Sequence, residues 1–181
     1  VIMVGEMRDA ETAQIAIQAA LTGHLVFSTV HTNSAPATMT RLIDMGIEPF
    51  LVSSTIIGIL SQRLVRRVCP QCRTKYTAHP EQIRELGFSI PENKRIKLIR
   101  GTGCDHCRQT GYRGRMGLHE LLILNEDIKQ AVLETGDAYA IKKMALSGGM
   151  KTLKMDGASK VLKGLTTVEE ILSLGYQEAV S

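Results

Sequence analysis

Four cysteines in the sequence occur as two pairs with a spacing suited to metal binding. Cys69 and Cys72 form one Cys-x-x-Cys turn, and Cys104 and Cys107 form a second turn after residues 73–103. A tetrahedral zinc ion takes four thiolates at about 2.3 Å, and each turn can supply one edge of that tetrahedron. The sequence therefore predicts a structural zinc site. Such a site is closed, so we assign the metal no catalytic role.

The alternatives for these cysteines are two disulfides, reduced structural thiols or a thioredoxin-like redox pair. No secretory signal indicates an oxidising compartment, and neither pair opens a helix after a strand–helix–strand pattern. Arg73 and Arg108 occupy the positions where a haem-attachment motif needs histidine, which excludes that use. His79 and His106 are the alternative zinc ligands.

Another set of polar residues flanks two short apolar segments near the start of the sequence. Glu6 follows residues 1–4, while His24 and His31 bracket residues 25–30. At the carboxyl ends of parallel strands, a carboxylate can polarise a water molecule, and an imidazole can donate a hydrogen bond to a phosphate oxygen. The alternatives are that Glu6 caps a helix or forms an ion pair and that the histidines are structural.

Hydrophobic periodicity predicts the elements that position these residues. Residues 1–4 and 25–30 read as strands, and Asp9 can cap an intervening helix that ends at Gly23. A polar turn over residues 31–34, which ends at Ser34, then offers side-chain caps to a second helix, and Gly46 closes that helix. This strand–helix–strand–helix order predicts a parallel sheet covered by helices, and the fold class is α/β.

The rest of the sequence predicts one more strand and several helices. We expect a helix from Pro49 to about Leu60 and a strand over residues 63–68. Thr167 and Glu170 form a predicted capping box for the last helix. The remaining helices are predicted over residues 81–87, 118–124, 128–134, 138–146, 155–163 and 168–174. The predicted domains are an α/β portion (1–68), a zinc-binding subdomain (69–117) and a mostly helical C-terminal region (118–181).

Composition limits the classes of protein that fit. The 44% content of hydrophobic residues supports a folded core, and the apolar run over residues 55–60 is too short to span a membrane, so we expect a soluble chain. Residues 63–115 carry thirteen Lys and Arg against four Asp and Glu. This local basicity makes a zinc-ribbon nucleic-acid-binding module the alternative function. Because the chain opens on strand-like residues, we also expect it to be a piece of a longer protein.

Four segments, taken in order, resemble the ATPases of type II secretion and type IV pilus assembly. They are VGEMRD at 4–9, TGHLVFSTVHTN at 22–33, DMGIEPFLVSSTIIGILSQRLVRRVCPQC at 44–72 and GYRGRMGLHELL at 111–122. The resemblance extends from Val1 to about Leu174. It implies a partial RecA-like sheet in which Glu6 is the catalytic glutamate at the end of the Walker-B strand.

The resemblance also implies roles for the histidines and cysteines. His24 and His31 match the family's histidine box, with His31 the better candidate for sensing the γ-phosphate of ATP, and the four cysteines match its tetracysteine motif. The implied protein is a hexameric ATPase that uses ATP and Mg²⁺ in the cytoplasm, peripheral to the inner membrane. Its implied partner is an inner-membrane platform protein, and no nucleic acid is expected.

Two motif-like stretches do not meet the requirements of the motifs they approach. The sequence contains no GxxxxGK[ST] loop, and the nearest stretch, residues 148–152, has Met150 in place of a required glycine. We therefore expect this chain to be inactive in ATP hydrolysis by itself. His119 begins an HExxH-like stretch that lacks the second histidine, so a metalloprotease site is excluded. There we expect Leu121 and Leu122 to lie in the core.

Overall fold

The computed structural model describes residues 1–88 and 95–178, which fall into two compact units. The first unit comprises Val1–Ser61 and Glu120–Met150, and the second comprises Gln62–His119 and Lys151–Ser181. Each unit is thus assembled from two separated stretches of chain. The division into consecutive segments at residues 68 and 117 stays a prediction.

The elements follow one another in a mixed α/β order. In chain order they are β1 (Ile2–Met3), α1 (Ala10–Leu21), β2 (Val26–Phe27), α2 (Ala35–Asp44), α3 (Pro49–Thr55), β3 (Gly58–Val68), β4 (Arg73–Thr77), α4 (Pro80–Glu85), β5 (Lys97–Gly101), β6 (Tyr112–Ile123), α5 (Glu126–Glu134), α6 (Ala138–Ser147), α7 (Leu153–Leu162) and α8 (Val168–Glu178). Among the described residues, the strands form three two-stranded sheets, which pair β1 with β2, β3 with β6 and β4 with β5.

The predicted parallel pairing near the start of the chain is confirmed. Ile2 lies opposite Val26 and Met3 opposite Phe27 in parallel register. The regular strands are short, but backbone hydrogen bonds continue the pairing. The N–H of Met7, for example, donates to the carbonyl of Thr29 at 2.9 Å. Both segments therefore run side by side up to the residues that the sequence singles out for chemistry.

The predicted caps of the first two helices are confirmed. The Asp9 carboxylate accepts a hydrogen bond from the Thr12 N–H at 2.8 Å, and the Ser34 hydroxyl accepts one from the Ala37 N–H at 3.3 Å. Gly23 follows α1 with a φ of 92°, a conformation that only glycine adopts without strain. These signals locate both helices correctly because capping depends on local chain chemistry.

The helix predicted over residues 118–124 is wrong, because residues 118–123 lie in β6 and Leu124 directly follows it. Leu118, Glu120 and Leu122 are buried, whereas His119 and Leu121 are exposed, which is the alternation of a half-buried strand. The expectation that Leu121 lies in the core is therefore also wrong, while that for Leu122 is confirmed. A buried glutamate hides the period of two, since alternation is normally recognised from apolar residues on one face.

The helix that begins at Pro49 ends at Thr55, and not near Leu60 as predicted. Residues 58–60 form the start of β3, which then includes the predicted strand at 63–68. A short apolar run such as residues 55–60 carries no periodicity that separates helix from strand. The other predicted helices are present as α4 to α8, with ends shifted by a few residues.

Each unit has its own hydrophobic core. In the first unit, Met39, Leu42, Val52, Leu122 and Val132 are almost completely buried and join α2, α3, β6 and α5. The second unit has a separate core, with the buried residues Val65, Ile83, Leu98, Leu118, Leu153, Ala158, Val161, Val168 and Ile171. Among the described residues, the helices are too short or too polar to cross a bilayer.

An ion pair connects β3 to the last helix within the second unit. The Glu170 carboxylate, predicted as a helix cap, accepts hydrogen bonds from the backbone N–H, the Nε and the Nη2 of Arg66, the last at 2.6 Å. The Arg66 guanidinium also lies 4.2 Å from the centroid of the Tyr112 ring. The Glu170 side chain is only 11% exposed, so hydrogen bonds from Arg66 replace much of the hydration that this carboxylate loses on burial.

Replacing this carboxylate should destabilise the second unit. We expect Glu170→Gln to lower the free energy of unfolding by about 2 kcal/mol, because it weakens charge-assisted hydrogen bonds to a nearly buried group. The measurement is urea unfolding followed by circular dichroism. Glu169→Gln removes the exposed neighbouring carboxylate and serves as the control, with an expected change within about 0.5 kcal/mol. Equal effects of the two substitutions would contradict this assignment.

Candidate functional sites

Glu6 and His31 lie in direct contact in the first unit. The Nε2 atom of His31 is 3.1 Å from Oε1 of Glu6, and Nη2 of Arg8 is 2.7 Å from Oε2 of the same carboxylate. The Glu6 side chain is 22% exposed, whereas that of His31 is 85% exposed. The structure therefore brings together the carboxylate and the imidazole that the sequence predicts to share a site.

Parallel pairing is what positions this contact. Glu6 follows β1 and His31 follows β2, so both residues extend from the carboxyl ends of neighbouring parallel segments. Just before them, the Thr29 hydroxyl donates to the carbonyl of Gly5 at 2.7 Å and locks the two segments together. A carboxylate and an imidazole held at this edge can orient a water molecule or contact an anionic group.

The sequence analysis missed Arg8 as a partner of Glu6. The two residues are separated by one position, and in extended chain such residues point to the same side. The alternation within VGEMRD is thus a signal that could have found this ion pair. It makes Glu6 an ion-pair partner as well as a candidate catalytic group, so both readings of this residue fit the geometry.

The hydrogen bond from Arg8 holds the pKa of the Glu6 carboxyl below its usual value. Partial burial acts in the opposite direction and is outweighed, while the positive charges of Arg8 and His31 add to the lowering. Glu6 is therefore ionised at neutral pH, with one oxygen in contact with Arg8 and the other in contact with His31.

His24 lies at the other end of β2 and away from this contact. Its Nδ1 atom is 3.1 Å from the Thr22 hydroxyl and 3.2 Å from the carbonyl of Ala19, at the carboxyl end of α1. Because β2 separates His24 from His31, the structure does not bring His24 to Glu6. A nucleotide-binding role for His24 stays a prediction.

Glu120 is a second residue that the sequence analysis missed. Its side chain extends from β6 into the first unit, where Oε1 accepts a hydrogen bond from the N–H of Ala35 at 2.9 Å. Only 3% of the residue is exposed. The erroneous helix over residues 118–124 concealed it, because burial of Glu120 follows from its inward position in the strand.

The four cysteines converge in the second unit. All are free thiols, and their sulfur atoms lie within 4.8 Å of one another. Cys69 and Cys104 are 3.9 Å apart, Cys72 and Cys107 are 3.8 Å apart, and Cys104 and Cys107 are 3.7 Å apart, measured between sulfurs. A tetrahedron with metal–sulfur bonds of about 2.3 Å has edges of about 3.8 Å. The donor set and its spacing therefore fit a four-coordinate metal ion.

Backbone groups orient the sulfurs of the second turn. The N–H groups of Cys104 and Gly111 each donate to Sγ of Cys107 at 3.3 Å. Burial raises the pKa of the Cys107 thiol, but these donors and the neighbouring thiols outweigh it and lower the pKa to about 6. The Cys107 N–H lowers the pKa of Cys104, yet burial and the adjacent thiols raise it to about 11. The backbone donors therefore stabilise the thiolate of Cys107 next to the other cysteine thiols.

Two glycines allow the chain around the cysteines to close. A Cβ atom on Gly101 would lie 2.0 Å from the carbonyl oxygen of Gly111, and Gly111 itself has a φ of 77°. The carbonyl of Gly111 also accepts a hydrogen bond from the N–H of Cys69 at 2.9 Å, which ties the second turn to the first. A side chain at Gly101 would therefore separate segments that carry the sulfur ligands. Within the described residues, the metal-ligand cluster consists of the four cysteines without His79 or His106.

Comparison with known proteins identifies the class to which these features belong. The family described as "Type II/IV secretion system protein" matches residues 1–173. Over 173 residues the chain is 51% identical to the type IV pilus assembly ATPase PilB of Thermus thermophilus, and over 172 residues it is 48% identical to the type II secretion system ATPase E of Vibrio cholerae. The chain belongs to the type II/IV secretion system protein family.

The matches cover most of this chain but a minor part of its relatives. They include 96% of the chain and 20% of the Thermus protein, and 95% of the chain and 34% of the Vibrio protein. The solved structure of the ATPase DotB from Legionella pneumophila has a TM-score of 0.61 at 22% identity, over 97% of this chain and 38% of that chain. The structural likeness supports the fold alone.

Removing Arg8 should raise the pKa of Glu6. In Arg8→Gln we expect the carboxyl to titrate closer to the usual glutamate value, as measured from its ¹³C chemical shift against pH. His31→Gln should produce a smaller rise, because Arg8 contributes most to the lowering. Since the folded-state pKa is lowered, the associated stabilisation is present above the usual glutamate pKa and is lost as pH falls through the lowered value. An unchanged Glu6 titration in Arg8→Gln would refute the contact.

Proposed function

We propose that this chain is part of an ATPase motor for type II protein secretion or type IV pilus assembly and that it contributes half of a nucleotide site. The observation that carries the proposal is the contact between Glu6 and His31 beyond two parallel strands. Family membership and the names of the relatives supply the reaction class, ATP hydrolysis. The cradle for the phosphates would come from sequence outside residues 1–181.

Glu6 acts as the catalytic carboxylate in this proposal. Its ionised state at neutral pH suits a group that orients the attacking water, and the low pKa argues for orientation and charge stabilisation over full proton removal. His31 is exposed and can exchange its contact with Glu6 for a hydrogen bond to a phosphate oxygen. Binding of ATP with Mg²⁺ would thus release one oxygen of Glu6, while His24 is a further proposed nucleotide-binding residue.

Zinc is the proposed metal of the tetracysteine cluster. Four sulfur donors at tetrahedral spacing favour zinc over the harder cations, which prefer oxygen ligands. Cys69, Cys72, Cys104 and Cys107 would hold the ion, and binding would deprotonate the remaining thiols. The ion would stabilise a loop-rich region with few apolar residues of its own, so we assign it a structural role.

The whole protein would work as a homohexameric ring with a RecA-like core. We propose that it acts in the cytoplasm against the inner membrane, where an inner-membrane platform protein receives the mechanical stroke. Type II secretion and type IV pilus assembly remain equal alternatives, because relatives of both kinds are about equally similar over the same residues.

Zinc binding can be tested through the glycine that permits the cluster to close. We expect the purified chain to retain about one zinc ion, and Gly101→Ala to lose most of it, because the added Cβ collides with the Gly111 backbone. Metal content is measured by atomic emission after dialysis against a weak chelator. Gly148→Ala is the matched control, since its Cβ would meet neighbours at ordinary distances of 3.5 Å or more. Full zinc retention in Cys107→Ser would refute the assignment.

The catalytic assignment can be tested by an isosteric substitution. In the full-length protein that carries this sequence and a phosphate-binding loop, Glu6→Gln should lower kcat for ATP hydrolysis by about 100-fold or more while ATP binding persists. Glu11→Gln, on the exposed face of α1, is the control and should retain wild-type kcat. Residues 1–181 alone should not hydrolyse ATP. Normal turnover by Glu6→Gln, or by the chain alone, would overturn the proposal.

A further inference from the structure

We propose that Glu120 is a positioning residue for the contact between Glu6 and His31. It fixes the amino end of α2 and, through that end, the loop over residues 31–34. The proposal deepens the proposed function, and its relevance to catalysis rests on it. The proposed effect of Glu120 passes through the backbone of α2 and of this loop.

Glu120 places a carboxylate in the interior of the first unit. Glu120 lies on β6 two residues before the buried Leu122, and it is only 3% exposed. Burying a carboxylate is unfavourable unless hydrogen bonds replace its hydration. The Ala35 N–H at 2.9 Å belongs to the first turn of α2, where the helix dipole favours an anion. The structure therefore joins two segments that are 85 residues apart in sequence at this hydrogen bond.

Hydrogen bonds connect α2 to the preceding loop. The Thr32 and Thr38 hydroxyls are 2.8 Å apart, and both donate to the carbonyl of Ser34, at 3.2 Å and 3.3 Å. The Ser34 hydroxyl in turn caps α2 through the N–H of Ala37. These hydrogen bonds connect the loop to the first turn of α2, so the two should move together. A shift of the amino end of α2 therefore moves residues 32–34.

The side chain of His31 has little other support. Its side chain is 85% exposed, so packing does little to fix the ring. Its backbone is held on one side by the strand pairing that ends near Thr29 and on the other side by the loop that Glu120 anchors. The position of Nε2 relative to Glu6 therefore depends on both anchors.

A test must separate positioning from general stabilisation. We choose Glu120→Met, which keeps side-chain size but removes the acceptor, and Glu120→Gln, which keeps an acceptor oxygen. Leu122→Ala on the same strand is the control for stability alone, because Leu122 is fully buried and makes no side-chain hydrogen bond. If Glu120→Met does not fold, Glu120→Asp replaces it, since the shorter side chain retains the charge but does not reach Ala35.

The measurement on residues 1–181 is the His31–Glu6 contact, followed by NMR through the ¹⁵N chemical shift of the His31 Nε2 atom and by nuclear Overhauser effects between the two side chains. We expect Glu120→Met to abolish the contact, Glu120→Gln to restore it largely, and Leu122→Ala to preserve it despite a lower Tm. An unchanged contact in Glu120→Met, or its loss in Leu122→Ala, would overturn the proposal.

This measurement requires no ATP, so it decides the positioning role even if the proposed ATPase function fails. A second measurement links the role to catalysis in the full-length protein. There we expect Glu120→Met to lower kcat by about 10- to 100-fold with a smaller change in KM for ATP, because the catalytic geometry is loosened while the phosphate cradle remains. Glu120→Gln should recover most of kcat, and a loss confined to KM would contradict a positioning role.

Discussion

Backbone hydrogen bonds between residues 2–7 and 25–29 hold two chain segments in parallel, and the candidate nucleotide site depends on this pairing. Parallel direction places the residues that follow each strand at the same edge, whereas an antiparallel pair would put Glu6 and His31 at opposite ends. The intervening helix α1 makes the parallel connection possible, because such a crossover needs about a dozen residues or more. His24, at the start of β2, is distant from Glu6 for the same reason.

In the second unit, a loop-rich part of the chain closes around four cysteine sulfur atoms. Backbone donors, the close approach of Gly101 to Gly111 and the spacing of the two turns bring the four sulfur atoms together. A metal ion would then replace the apolar burial that such a segment cannot supply. The Arg66–Glu170 pair anchors β3 to α8 near one end of this arrangement, since β3 leads directly into the first cysteine turn.

The carboxylates of Glu6, Glu120 and Glu170 differ in exposure and in role. Glu6 has both oxygens engaged by Arg8 and His31 at a site open to solvent, so its contacts can be exchanged for a ligand. Glu120 and Glu170 are more deeply buried and bond to backbone N–H groups of distant segments. These two carboxylates hold chain segments in place, because removing either one leaves a backbone N–H group without this acceptor.

The sequence by itself determined the features that depend on local chemistry: the caps at Asp9 and Ser34, the glycine after α1, the cysteine spacing and the family resemblance, which the comparisons confirm. Tertiary structure decided that residues 118–123 form a strand, that Glu120 reaches α2 and that Glu170 binds Arg66. It also decided that each unit combines two separate stretches of chain. The physical reason is that strand pairing and carboxylate burial depend on groups tens of residues away. Local propensity and periodicity do not report such partners.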